Sequence, residues 1–336
     1  MDIKCILVNG FYASGASAVI DYLKEFEGVF APDMEFRLLK EPHGIIDLDR
    51  VLNGHNDLLN EDIAIREFLM LANKYIPYRH GFNGFGMGYD RFFGKNLFKI
   101  TNKYVDSLVE CKYPGHWWYL DLYSSSLSYV IHKILRKIGL YDNRLNSHMY
   151  FRTANEEDFL EKTRAYLKEI IDDCINDIPG VDTFIFDQAI PANQPSLAQR
   201  YFPGCKFIVV DRDPRAIYAE TAMQLKEINR NLGQIGPYAK DTDNVKLFID
   251  YYKKMRERSE YSGECLRIQF EDFVLNKNNT RKIVLDYVGI NEEKHKFKEV
   301  YFQPSVSKNN VYLWERFDCK KECEIIEKEL SEYIYV

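Results

Sequence analysis

The chain reads as a three-layer α/β fold: a central parallel β-sheet with helices on both faces and a large helical insertion after the second strand. Three observations predict it. Cys5–Val8, Thr183–Asp187, Phe207–Asp211 and Leu266–Phe270 are short, near-continuous apolar runs, as expected of strands buried on both faces. Each is followed by a turn and a helix-period segment, the alternation that builds parallel sheets. The 336 residues contain no Pro/Ser/Gly-rich spacer, repeat or low-complexity run, so a single domain over 1–336 is expected, with the helical insertion at about 60–178.

The first element is Lys4 to Leu23, KCILVNGFYASGASAVIDYL, a strand, a small-residue turn and a helix with Val19, Ile20 and Leu23 on one face. Gly10 and Gly15 let backbone approach an anion closely, and Ser14 and Ser17 offer hydroxyls. The helix that follows presents free N–H groups and the positive end of its dipole. The spacing is that of a Walker-type P-loop, but Ala16 stands where the Lys belongs, which argues against ordinary ATP handling.

Glu35–Leu39 reads as the second strand. Glu35, Arg37, Glu41 and His43 gather where the chain leaves it, and polar groups at the carboxyl end of a parallel strand often line a ligand crevice. Glu35 and His43 are therefore candidate general bases, a solvated loop with Asp47 as helix cap being the alternative. The insertion reads as mostly helical, with one helix capped by Asn60. Asn155 opens another that carries Phe159, Thr163, Tyr166, Leu167, Ile170, Cys174 and Ile178 inward. Glycine- and aromatic-rich breaks at Arg79–Phe93 and Tyr113–Tyr119, with His80 and His116, suit either a lid or a loop pinned by its rings. In the second half, Pro214 marks the start of a helix running on from Arg212.

Composition narrows the function. Hydrophobic residues at 46% and charged residues at 29% describe a globule with ample core. A net charge of -6 excludes broad, sequence-independent binding to nucleic acid, so an anionic ligand must be held locally. The opening MDIKCILV lacks a basic-then-apolar leader, and no apolar run approaches the ~20 residues of a membrane span. A cytoplasmic location is expected, and seven scattered cysteines fit reduced thiols. Cys319 and Cys323 are one helical turn apart but lack further ligands for zinc, and no metal site is expected.

Four segments in order resemble the sulfotransferase family that uses 3′-phosphoadenosine 5′-phosphosulfate (PAPS). They are the loop Gly10 to Ser17; the arginine motif Arg212, Asp213, Pro214, Arg215 at a strand end; the RIQFEDFVLN stretch; and PSVSKNNVYLWERF near the C-terminus. The resemblance implies a transferase moving a sulfuryl group from PAPS to a hydroxyl of a carbohydrate or small molecule. It implies Gly10, Ser14, Gly15, Ala16 and Ser17 around the 5′-phosphosulfate and Arg212 and Arg215 at the 3′-phosphate. Ser307, Lys308 and Asn309 would close on the nucleotide, with Lys308 as a mobile cation and Glu35 or His43 as base. Two positions depart from the family pattern. Ala13 replaces the usual basic residue of the loop, so the cation comes from elsewhere, Lys308 or Arg37, or is missing, and Glu220 replaces a Ser eight residues after Arg212. Both departures also suit a P-loop transferase or kinase whose donor lacks a 3′-phosphate, or a nucleotide-binding protein without catalysis.

Overall fold

The computed structural model describes residues 3–54, 57–78, 86–115, 117, 126–139, 148–152, 155–224, 245–260 and 265–336. In chain order, β1 (Lys4–Gly10), α1 (Ala16–Lys24) and β2 (Val29–Phe30) are followed by α2 (Ile45–Gly54), α3 (Leu58–Tyr75) and α4 (Leu97–Leu108). Then come β3 (Cys111–Pro114), α5 (Ser126–Lys137), β4 (His148–Phe151), α6 (Glu156–Ile175), β5 (Thr183–Asp187), α7 (Ser196–Tyr201) and β6 (Lys206–Asp211). The last part holds α8 (Pro214–Tyr218), α9 (Val245–Glu257), β7 (Leu266–Gln269), α10 (Phe270–Leu275), α11 (Thr280–Val288), α12 (Pro304–Ser307) and α13 (Lys320–Glu329). The chain divides into two compact units, one formed by Met1–Arg37 with Ile175–Val336, the other by Leu38–Cys174.

The first unit carries a five-stranded, wholly parallel sheet in the order β2-β5-β1-β6-β7. Alternation along β1 sends Ile6 and Val8 to one face, where they pack with Val19 and Leu23 of α1, Phe273 of α10 and Val284 and Val288 of α11. Phe184 and Phe186 of β5 are also fully buried, and Phe186 meets the rings of Phe36 and Phe202. Because every strand runs the same way, the segments leaving β1, β6 and β7 emerge on one edge of the sheet. Gly10 is in register with Val210, and Asp211 with Gln269, so those three exits are side by side.

The strands expected at 183–187 and 207–211 form, and at 266 the strand stops at Gln269 because Phe270 already opens α10. Glu35–Leu39 is not a strand. Phe36, Leu38 and Leu39 are all fully buried, but the Leu38 and Leu39 carbonyls that a neighbouring strand would need are taken locally. The chain turns instead, Ile45 and Ile46 donating to the carbonyls of Leu38 and Leu39. The second strand is the two-residue β2 upstream.

Among its described residues, the second unit is helical apart from turns and an antiparallel pair, β3 with β4. Buried Asp62 of α3 accepts from Arg66 Nε at 2.7 Å and from the backbone N–H of Tyr150 at 2.7 Å, fastening β4 to that helix. The cap of α3 is Asp57, which accepts from the Leu59 N–H at 3.0 Å; Asn60 lies inside the helix and donates to Asp57. Asn155 caps α6 as expected, but that helix ends at Ile175 and Ile178 is exposed. His80, His116 and much of the two aromatic breaks lie outside the described residues, as does the expected continuation of the Arg212 helix past Gln224.

Candidate active site

The loop after β1 is built from close packing. A Cβ on Gly10 would lie 1.8 Å from Ser14 Oγ, so glycine there is what lets Ser14 fold under the strand end. Ser14 donates its backbone N–H to the Phe11 carbonyl at 3.0 Å, and its buried hydroxyl has no hydrogen-bond partner among the described residues. Ala13 and Gly15 both take left-handed conformations, with φ of 57° and 76°. For Gly15 this is unstrained, and a Cβ would strike the Phe270 ring at 2.5 Å. The helix α1 then begins at Ala16 with no side-chain cap, leaving its N-terminal dipole uncompensated by the protein and Ser17 exposed beside it. Phe11 is clamped from the other side. The Arg256 guanidinium lies 4.3 Å from its ring centroid, and Asp211 holds Arg256 at 2.6 Å and Arg267 at 3.0 Å.

Arg212 is the hub of this edge. Its side chain is almost wholly buried, and it stacks on the Phe270 ring at 4.9 Å. One terminal nitrogen donates to the Ala13 carbonyl at 2.7 Å and to the Glu220 carboxylate; the other donates to the Asn310 carbonyl at 2.8 Å. One side chain thus ties together the loop, the segment after α8 and the Lys308–Asn310 turn. Lys308 and Asn309 are exposed on that turn, and Ser307 immediately precedes it. Glu220 lies in a π-helical stretch, Ala219–Gln224, while its neighbour Thr221 is buried and donates back to the Ile217 carbonyl at 2.8 Å.

Arg215 faces different partners. It forms a fork with Asp213, Nη2 to Oδ2 at 2.7 Å, and it stacks on Trp314 at 4.3 Å and approaches Glu327 at 3.5 Å. Asp213 also caps α8 by accepting the Arg215 N–H, and it accepts from the Tyr335 N–H. Glu271, fully buried, accepts the Asp213 N–H at 3.0 Å; burial pushes its carboxyl up to about 7 against the pull of that bond.

Glu35 and Arg37 form an exposed pair at 3.2 Å. Burial raises the Tyr12 hydroxyl, and the charges of Glu220 and Glu35 raise it further. His43 belongs to the second unit, where Nδ1 meets Glu67 Oε2 at 2.8 Å. Sequence reasoning overlooked Phe270, Glu271, Asn310 and the Arg256–Asp211 clamp. The apolar run before Phe270 was visible, but its meeting with Gly15 depends on strand order. Among the described residues no group of three or more His, Cys, Asp or Glu is placed to hold a metal.

A glycine-shaped loop, an uncapped helix end and a buried arginine lie together at the carboxyl edge of the parallel sheet, features of a kind that can hold an anion. Residues 132–294, just under half of the chain, match the family model described as "Sulfotransferase family". No curated protein matches the chain. Among solved structures, it is similar to the sulfotransferase domain from the curacin biosynthetic pathway at 12% identity and a TM-score of 0.40, covering 100% of both chains. It is also similar to the sulfotransferase domain of the Synechococcus PCC 7002 olefin synthase, at 11% identity and a TM-score of 0.41, covering 98% of this chain and 95% of that one. For the sulfotransferase STF9 from Mycobacterium avium the values are 12% and 0.36, with 99% and 76% covered.

Proposed function

We propose that the chain is a transferase that moves a sulfuryl group from PAPS to a hydroxyl of a carbohydrate or small-molecule acceptor in the cytoplasm. The observation that carries this reading is the convergence of the Gly10–Ser17 loop, the uncapped start of α1 and buried Arg212 in one unit that includes much of the family match. In this reading the backbone of Gly15, Ala16 and Ser17 holds the 5′-phosphosulfate, assisted by the Ser14 and Ser17 hydroxyls, and Gly10 keeps the strand end open. Arg212 receives the 3′-phosphate; Arg215 stiffens the motif through Asp213 and adds positive potential. Ser307, Lys308 and Asn309 close over the nucleotide, with Lys308 as the mobile cation that offsets charge on the departing phosphate. Glu35 or His43 takes the acceptor proton as the new O–S bond forms and the bond from sulfur to the phosphate oxygen breaks.

One observation favours a second reading. Glu220 already occupies the Arg212 fork, which suits a P-loop transferase whose nucleotide donor has no 3′-phosphate. Thermal unfolding with 3′,5′-bisphosphoadenosine, AMP, ADP and ATP, with and without magnesium, separates the two. Stabilisation confined to the bisphosphate and abolished in Arg212→Ala is the expected result. A shift only with ADP or ATP plus magnesium would overturn the PAPS reading.

A further inference from the structure

Helix α5 turns its apolar side outward. Leu127, Val130, Ile131, Ile134 and Ile138 fall within about 100° of one another around its axis, the kind of stripe that a helix in a globule normally buries. Here the five are from 45% to 72% exposed. A hydrogen bond from the Ile138 N–H to the Ile134 carbonyl at 3.2 Å carries the helical path on to Ile138, and Gly139 ends it with φ of 71°. Five aliphatic side chains in one exposed stripe form a patch of the kind that marks contact with another apolar body.

Charge decides what that body is. The chain as a whole has a net charge of -6, yet residues 126–139 hold Lys133, Arg136 and Lys137 and no Asp or Glu. All three cations are exposed; by helical geometry Lys133 and Lys137 border the stripe on its Val130 side, and Arg136 lies on the opposite side. The Lys133 ammonium is 5.8 Å from the ring centroid of Tyr129, which is exposed as well. A second copy of the same helix would match the stripe but bring only more cations to its border. An anionic bilayer surface offers both complements, acyl chain beneath the stripe and headgroup charge beside the lysines, whose long stems keep the ammonium groups at headgroup level as the stripe sinks. We propose that α5 is an interfacial helix that docks the chain on an anionic lipid surface, with the Leu127–Ile138 stripe in the lipid and Lys133 and Lys137 among the headgroups. The helix lies along the membrane plane, and among the described residues no helix is long and apolar enough to cross a membrane. The anionic cytoplasmic leaflet is a surface of this chemistry.

Vesicle co-sedimentation of the full chain tests this, with phosphatidylcholine vesicles prepared with and without phosphatidylserine. The parent chain should bind the phosphatidylserine vesicles about tenfold or more tightly than the neutral ones, as two cations at a charged surface provide, and high salt should erase that preference. Ile131→Ser combined with Ile134→Ser should weaken binding to the anionic vesicles by about tenfold, because the stripe loses apolar area. Lys133→Gln combined with Lys137→Gln should leave the weak neutral binding in place and remove the anionic preference. All four positions are exposed, so both double variants should keep the Tm of the parent chain. Failure of the folded parent chain to bind anionic vesicles, or binding that neither pair of changes alters, overturns the proposal. A lipid-free dimer in analytical ultracentrifugation that the two serine changes dissociate also overturns it, assigning the stripe to a second copy of the chain.

Discussion

Replacing Glu220 by Gln removes one negative charge from the Arg212 fork while keeping the shape of the side chain. In the present structure Arg212 satisfies itself on Ala13, Asn310 and Glu220, so a 3′-phosphate arriving at that guanidinium meets a carboxylate already in place. Two like unit charges ~5 Å apart at an effective dielectric near 20 repel by about 3 kcal/mol. Glu220 is 34% exposed, so solvent screens much of this, and about 1 to 1.5 kcal/mol is the expected net gain in binding. That is about tenfold in affinity for 3′,5′-bisphosphoadenosine. The same change leaves the buried Arg212 charge without its counter-ion, which costs stability in the absence of ligand. Titration calorimetry and thermal unfolding should therefore show a lower ligand-free Tm together with tighter bisphosphate binding, AMP affinity staying within twofold. Equal gains for AMP and the bisphosphate, or no gain for either, would refute the reasoning that Glu220 competes for the phosphate contact.

Two further outcomes follow from buried groups. The Glu271 carboxyl is raised from 4.5 to about 7, so the folded state holds a proton that the unfolded chain releases. Its stabilising contribution is complete below pH 4.5 and is lost as pH rises through 7; the gap corresponds to about 3 kcal/mol. Glu271→Gln keeps an oxygen for the Asp213 N–H and should flatten the dependence of Tm on pH between 5 and 8; an unchanged slope would count against it. Gly10→Ala places a methyl on the Ser14 hydroxyl and should abolish bisphosphate stabilisation, whereas the double change with Ser14→Gly should restore it in part, as read by Tm shifts.

The sheet strands and the loop were legible because their signals are local: continuous apolar runs at 183–187 and 207–211, and small residues between Val8 and Val19. Glu35–Leu39 was misread because its apolar density resembles a strand, while the Leu38 and Leu39 carbonyls are taken in a local turn by the N–H groups of Ile45 and Ile46. The pairing of Cys111–Pro114 with His148–Phe151 has no local signature, since it depends on partners far apart in sequence. The same holds for the site. Arg212 was visible as a motif, but its partners Ala13 and Asn310 arrive from opposite ends of the chain, and Phe270 reaches Gly15 only through the strand order.

That strand order also governs how the protein is made. The central strand β1 pairs only with β5 and β6, so Val8 waits for Asp187 and Ile208 to leave the ribosome. At typical synthesis speeds of about 5 to 20 residues per second the delay is roughly 10 to 40 seconds. The loop-closure entropy of so long an interval is modest, growing by only about 0.6 kcal/mol per doubling, but the kinetic exposure is not. For that interval the stretch Ile6–Val8, fully buried in the finished sheet, is an unpaired apolar edge open to passing chains. Yield on expression should therefore respond to translation speed and to holding chaperones more than to the stability of the finished fold.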